Sequence, residues 1–263
     1  MSKTILEIKN VSREINAAND KTKVLLSDIS WTCHTGSRVA VLSRSHLSAQ
    51  AFLECASGVT AAQKGSVTIN GHISWPIGMR GGLSPNLSGK QNALFLQRIY
   101  GETGQESRDL EFIRCLADIN EELFRKPIKN YSRVVKERFF IAAGLAFDFD
   151  AYVLTRSHLW KSGELNERQK DFHDTLRDRT SNKPLLITGN DYGFLQEFCS
   201  EGLILEEGKI VFAGSFEDCR QRIDEEALSA SSQDDLLDEL DEDRTKSGQE
   251  EDDEESSLDG EIW

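Results

Sequence analysis

No run of apolar residues in this chain approaches the ~20 needed to cross a bilayer as a helix; the longest, Phe139 to Phe147 (FFIAAGLAF), falls far short. The opening MSKTILEIKN has no continuous apolar h-region, so a chain neither inserted in a membrane nor exported by a signal peptide is expected. Cysteine is sparse and scattered: Cys33, Cys55, Cys115, Cys199 and Cys219 form no CxxC pair, and their odd total suits a reducing compartment. Without close ligand spacing, no metal site is expected. Positive charge is also short, 31 Lys plus Arg against 45 Asp plus Glu. That balance argues against sequence-independent nucleic-acid binding, which needs a basic surface to displace counterions.

The negative charge is localised. Residues 224–263 hold 18 acidic and two basic residues, a charge of -16, whereas residues 1–223 hold 29 basic and 27 acidic residues, a charge of +2. The first segment reads as a near-neutral folded part large enough for a good-sized core. The second reads as a disordered, solubilising acidic tail. Its alternative role is partner recognition through Leu236, Leu237 and Leu240, or through Ile262 and Trp263.

Alternating or β-branched runs at 5–11 and 24–33 predict two strands. An apolar strand at 39–42, a polar loop at 43–48 and a helix at 49–56 closed by Gly58 make a strand, loop, helix unit. GSVTIN at 65–70 is a further strand, and 75–88 is read as a loop punctuated by Gly and Pro. Helical spacing follows at 88–100, 106–119 and 133–147. Strands at 152–154 and 185–188, helices at 165–179 and 194–199, and a hairpin turning at Glu206 to Lys209 complete the pattern. Ser215 with Asp218 gives a capping box for a last helix. The expected fold is α/β, a mixed sheet core with an inserted helical lobe at about 88–147.

Certain residues carry a family resemblance. They are Ile73-Ser74-Trp75-Pro76-Ile77-Gly78, Gly81-Gly82, Leu87-Ser88-Gly89, Asn92 and Arg98-Ile99-Tyr100-Gly101, then Asn130-Tyr131-Ser132, Phe147-Asp148-Phe149-Asp150 and Glu197-Phe198-Cys199. Over roughly residues 4–223 this framework resembles the ATP-binding subunit of an ABC transporter, specifically of the subfamily that exports capsular or similar polysaccharides. The resemblance implies a P-loop NTPase-like domain over 1–223 that dimerises head to tail and docks on a transmembrane permease.

The family's catalytic motifs are matched in position and altered in chemistry. A phosphate loop GxxxxGK[ST] uses glycines so that backbone N–H groups can wrap phosphates, a lysine for the β and γ phosphates, and a hydroxyl for magnesium. The matching window here is Ser43-Arg44-Ser45-His46-Leu47-Ser48-Ala49-Gln50. Serines replace both glycines, Ala49 replaces the lysine and Gln50 the hydroxyl. Losing the charged hydrogen bond alone removes about 1.5–3 kcal/mol, roughly ten- to hundredfold in affinity. Arg44 or His46 stays open as a substitute phosphate contact.

After the strand at 152–154, the family's magnesium-holding Asp and water-polarising Glu correspond to Thr155 and Arg156. Losing a general base typically costs ~10² to 10⁴ in rate. The signature segment becomes Ser132-Arg133-Val134, the switch histidine Gly189, the glutamine of the lobe-connecting loop Ser84, and the adenine-stacking aromatic Ile15. His46 and His158 read as solvated histidines, Trp75 as a packing aromatic and 139–147 as core.

Taken together, the sequence is expected to encode a pseudo-ATPase homologue of a polysaccharide-export ATP-binding subunit. Its expected partners are a transmembrane permease and a second subunit, in a homodimer or in a heterodimer with an intact ATPase. It is expected in the cytoplasm, at the inner membrane only through that permease. No cofactor is expected, and weak ATP binding stays open. Two rivals remain: an ATPase with an unorthodox site, and a soluble scaffold or regulator working through its acidic tail.

Overall fold

The computed structural model describes residues 3–17 and 21–223, without the side chains of residues 17 and 21. The expectations for 224–263 therefore lie outside the described residues. Strands β1 (Thr4–Ala17) and β2 (Lys21–His34) pair antiparallel, and β4 (Lys64–Ile69) joins the other side of β1 to make a three-stranded sheet. A second, six-stranded sheet has the order β5-β6-β7-β3-β8-β9. Its strands are β3 (Arg38–Ser43), β5 (Ile73–Ile77), β6 (Ala151–Leu154), β7 (Leu185–Ile187), β8 (Glu201–Glu206) and β9 (Lys209–Ser215). All its pairings are parallel except β8 with β9.

The burial follows from this order. Central β3, β6 and β7 are covered on both faces, which is why Val39 to Leu42, Ala151 to Leu154 and Leu185 to Ile187 are unbroken apolar runs, each residue buried. Edge strand β9 instead alternates between exposed and half-buried residues. The β8–β9 hairpin turns on Glu207 and Gly208, both at positive φ, as a two-residue turn matched to strand twist requires.

Helix α1 (His46–Ala56) lies between the two sheets. Phe52, Leu53 and Cys55 share one core with Leu6, Ile8, Leu26 and Ile29 of the first sheet and Val39, Val41, Leu203 and Leu205 of the second. Between β5 and β6 the chain forms α2 (Gly89–Tyr100), α3 (Glu106–Leu116), the single turn α4 (Glu121–Phe124) and α5 (Arg133–Leu145). They pack on one another, and α5 rests on β5. Helices α6 (Glu167–Arg179), α7 (Tyr192–Phe198) and α8 (Phe216–Arg222) complete the fold.

Two expectations are corrected. Residues 75–77 are not loop; with Ile73 and Ser74 they form β5, and Pro76 is tolerated there because β5 is an edge strand with one side free of ladder bonds. Helix α1 begins at His46, three residues before the expected start, so the polar loop shrinks to Arg44 and Ser45. Trp75 is a packing aromatic, buried against Tyr100 and edge-on to Phe149.

Candidate functional site

The carboxyl ends of β3, β6 and β7 lie side by side, since Ala40 pairs with Ile187 and Ile187 is also in register with Leu154. Ligands of parallel α/β sheets bind at this edge, where the strand order reverses. Three sequence-predicted segments converge there: residues 43–50 after β3, Thr155 and Arg156 after β6, and Gly189 after β7. The others are placed elsewhere. Ser132, Arg133 and Val134 are exposed at the start of α5, and Ser84 is half-buried in the loop before α2. Ile15 sits on β1, packed against the core under α1.

The turn from β3 into α1 is closed by its own serines. Ser43 Oγ donates to the Leu205 carbonyl of β8 at 2.9 Å and accepts from Ser45 N at 3.2 Å. Ser45 is the N-cap: its Oγ accepts from Ser48 N at 3.2 Å and from Ser48 Oγ at 3.1 Å, while its carbonyl accepts from Ala49 N at 3.1 Å. Ser48 and Ala49 are buried, and Leu47 packs against the core. None of residues 43–50 has positive φ, so serine fits where a phosphate-wrapping loop would need glycine. Gln50 points along the helix and donates to Glu54 Oε1 at 2.9 Å.

Glu54 anchors a half-hidden polar network. Arg13 of β1 reaches Glu54 Oε2 at 2.6 Å, and Thr60 Oγ1 donates to the same oxygen at 3.2 Å. Burial favours the neutral acid, but hydrogen bonds from Arg13 and Gln50, the Arg13 charge and the Thr60 bond outweigh it and hold the carboxyl below its usual range. The i, i+4 spacing of Gln50 and Glu54 was visible in the sequence; Arg13, 41 residues away on β1, was not.

The segment after β6 is tied to four other elements. Thr155 Oγ1 donates to the Ile77 carbonyl of β5 at 3.0 Å, and the Thr155 carbonyl accepts from Trp160 Nε1 at 3.0 Å. Gly78, at φ +107°, makes room: a Cβ there would lie 2.4 Å from Thr155 Oγ1. Glu137 of α5 accepts from the Ser157 hydroxyl and from His158 N, and pairs with His158 Nδ1 at 2.5 Å. His158 is therefore not the solvated histidine expected; it is half-exposed but held by a carboxylate. His173 of α6 bonds through Nε2 to the Leu159 carbonyl at 3.1 Å. Asp191, N-cap of α7, accepts from Ser162 N at 3.1 Å and Phe194 N at 2.9 Å. Gly189 itself is not filled in: a Cβ would meet only Leu195, at 3.5 Å.

Comparison with known proteins decides the family of folds. No protein-family profile matches the chain. The polysialic acid transport ATP-binding protein KpsT of Escherichia coli is 24% identical over 221 residues, 84% of this chain and 96% of the relative. The capsule polysaccharide export ATP-binding protein CtrD of Neisseria meningitidis serogroup B is 24% identical over 189 residues, 71% of this chain and 83% of CtrD. Among solved structures, the ATP-binding cassette MJ0796, a dimer in a post-hydrolysis state bound to ADP and Pi, superposes with a TM-score of 0.64 at 14% identity, covering 81% of this chain and 99% of that one. The chain has the ATP-binding-cassette fold. Its homologues are ATP-binding proteins of capsule and polysaccharide export.

The cassette fold implies a magnesium nucleotide at the β3–α1 turn, and the residues of this cassette do not fit one. The N–H groups of Ser45, Ser48 and Ala49 are spent inside the turn, no lysine follows it, the Thr155 hydroxyl is committed to the Ile77 carbonyl, and Arg156 brings a cation where the family has a carboxylate. Among the described residues no group of three or more His, Cys, Asp or Glu is placed to hold a metal.

Sequence reasoning also passed over His173. It lies against Trp160, Phe194 and Phe198. Burial lowers its pKa; the Leu159 carbonyl, Glu197 and Asp174 oppose that shift and Arg177 adds to it. Its buried, aromatic setting is long-range and left no motif.

Proposed function

We propose that this cassette is a catalytically inactive homologue of the ATP-binding subunit of a capsule or polysaccharide export transporter. It acts in the cytoplasm by association with a transmembrane permease, as a homodimer or beside an intact ATPase subunit. The relatives support the transport context, and one observation supports the inactivity: serines stand where a phosphate loop has glycines, and the N–H groups of Ser45 and Ser48 are engaged by Ser43 Oγ and Ser45 Oγ instead of facing a phosphate. No helix among the described residues is long and apolar enough to cross a membrane, which agrees with attachment through a partner.

The test is a calorimetric titration of the full chain with magnesium ATP, alongside a phosphate-release assay. No heat of specific binding and no turnover are expected. Turnover that disappears on Arg44→Ala or His46→Ala would overturn the proposal. The Glu137–His158 pair, close behind Thr155, favours a second reading as an ATPase with an unorthodox site. That reading requires hydrolysis that Glu137→Gln abolishes.

A further inference from the structure

Helix α2 presents a face that the fold leaves uncovered. It buries Asn92, Ala93, Leu96 and Gln97 on one side. On the other, Phe95 is 46% exposed and Ile99, one turn on, is 54% exposed. Leu87, just before the N-cap Ser88, extends this apolar strip at 41% exposure. A parallel row carries Lys90 and Arg98, both exposed and neither in an ion pair within 4.0 Å among the described residues. No acidic residue occurs within GKQNALFLQRIY, and the nearby Glu121 of α4 feels the Lys90 charge without forming an ion pair with it, so α2 itself offers an apolar strip beside basic groups. A complementary mate has apolar side chains at helical spacing, flanked by carboxylates.

The chain itself carries such a segment. Residues 234–243, DDLLDELDED, hold seven acids in ten residues together with Leu236, Leu237 and Leu240. Those leucines stand at i, i+1 and i+4, the spacing that forms one apolar stripe when a segment winds into a helix. The segment begins 11 residues past Ile223, the last residue described, with no proline between them to stiffen the approach.

We propose that the exposed face of α2 is the docking site for residues 234–243 of a second copy of this chain. Phe95 and Ile99 receive the leucines, and Lys90 and Arg98 face the flanking carboxylates. Since each copy carries both the face and the segment, two copies exchange segments reciprocally, a self-complementary arrangement. The inference does not depend on whether nucleotide binds.

Sedimentation velocity of the full-length chain tests it. Self-association is expected at low salt, weakened as ionic strength rises because the flanking charges are exposed. Phe95→Asp with Ile99→Asp on the face, or Leu236→Ser with Leu237→Ser and Leu240→Ser on the segment, should each weaken association by at least about tenfold. Both face residues are about half exposed, so circular dichroism of that variant should match the parent. Charge reversal gives the specific check. A Lys90→Glu, Arg98→Glu chain and an Asp235→Lys, Asp238→Lys, Glu239→Lys chain should each fail to self-associate and should associate when mixed. A chain that stays monomeric at every concentration overturns the proposal, as does failure of the mixed pair. So does equal binding of a fluorescent synthetic peptide of residues 230–246 to the parent and to the Phe95→Asp, Ile99→Asp chain.

Discussion

Arg13 and Glu54 form, with Gln50, a half-hidden polar cluster that ties α1 to β1. In the cassette fold the helix following β3 normally serves a ligand at its start; here Gln50 turns away from that end and joins Arg13 in holding Glu54. The two charged side chains are only 18% and 12% exposed, so removing one strands the other away from water. Arg13→Ala should cost about 3 kcal/mol in denaturant unfolding, and Arg13→Met with Glu54→Leu clearly less, because the double change leaves no unpaired charge. The acid limb gives a second check. Glu54 is held below its usual range in the folded chain, so its contribution is present above the unfolded pKa of about 4.3 and is lost as pH falls through the folded value. Glu54→Gln should flatten that limb. His173 has a depressed pKa too, with the same sign at higher pH. The unfolded chain takes up a proton near pH 6.5 that the buried imidazole resists, so stability should be complete above that pH and decline as pH falls toward the folded value. His173→Gln, which keeps a donor for the Leu159 carbonyl, should remove the decline in a pH series of denaturation curves.

At the scale of elements, the contact between α5 and β5 sets how the inserted helices attach to the sheet. Gly144 of α5 has no side chain because Ile77 of β5 occupies the space: a Cβ would meet Ile77 Cγ1 at 2.6 Å and Cγ2 at 2.8 Å. Ile77 is fully buried and has nowhere to go. Gly144→Ala gains up to about 1 kcal/mol of helix propensity but should lose about 1–3 kcal/mol to overpacking, for a net destabilisation. Adding Ile77→Ala should make the glycine substitution favourable; the same cost in both backgrounds would count against this contact. Most elements were legible in the sequence because their signals are local: apolar runs for buried parallel strands, Ser88 with Gln91 as the capping box of α2, and Asn166 with Gln169 for α6. The exceptions were β5 and the start of α1. Pro76 argued for loop until the sheet order made β5 an edge. The early start of α1 depends on Ser43 reaching Leu205, 162 residues away, which no window of sequence contains.

At the scale of the whole molecule, the apolar core and the carboxyl edge of the sheet draw largely on different residues. One apolar core built on α1 joins both sheets, and it contains Val153, Leu186 and Leu205 from strands that end at the ligand edge. Ser43 and Thr155 sit at polar strand ends, so altering them leaves the apolar strand interiors in place, whereas Ala49 belongs to the core itself. For the same reason the placement of residues 43–50 and 155–156 beside strand ends could be read from the sequence, while bonds such as Ser43 to Leu205 and Thr155 to Ile77 could not. The separation has a thermodynamic consequence. A ligand held by the native state alone stabilises it by RT ln(1 + [L]/Kd), about 2.7 kcal/mol at a hundredfold excess over Kd. In a domain of this size each kcal/mol moves Tm by roughly 2–4 °C, so a functional nucleotide site should raise Tm by about 5–11 °C. With the β3–α1 turn closed on itself, millimolar magnesium ATP should leave Tm unchanged to within about 1 °C in a thermal scan of the full chain. Ala49→Lys alone should not change that outcome, since Ala49 is buried in the core and the N–H groups of Ser45, Ser48 and Ala49 stay bonded to Ser43 and Ser45. A nucleotide-dependent rise in the parent would mean that the turn opens, and the serines would then be a latch over the site.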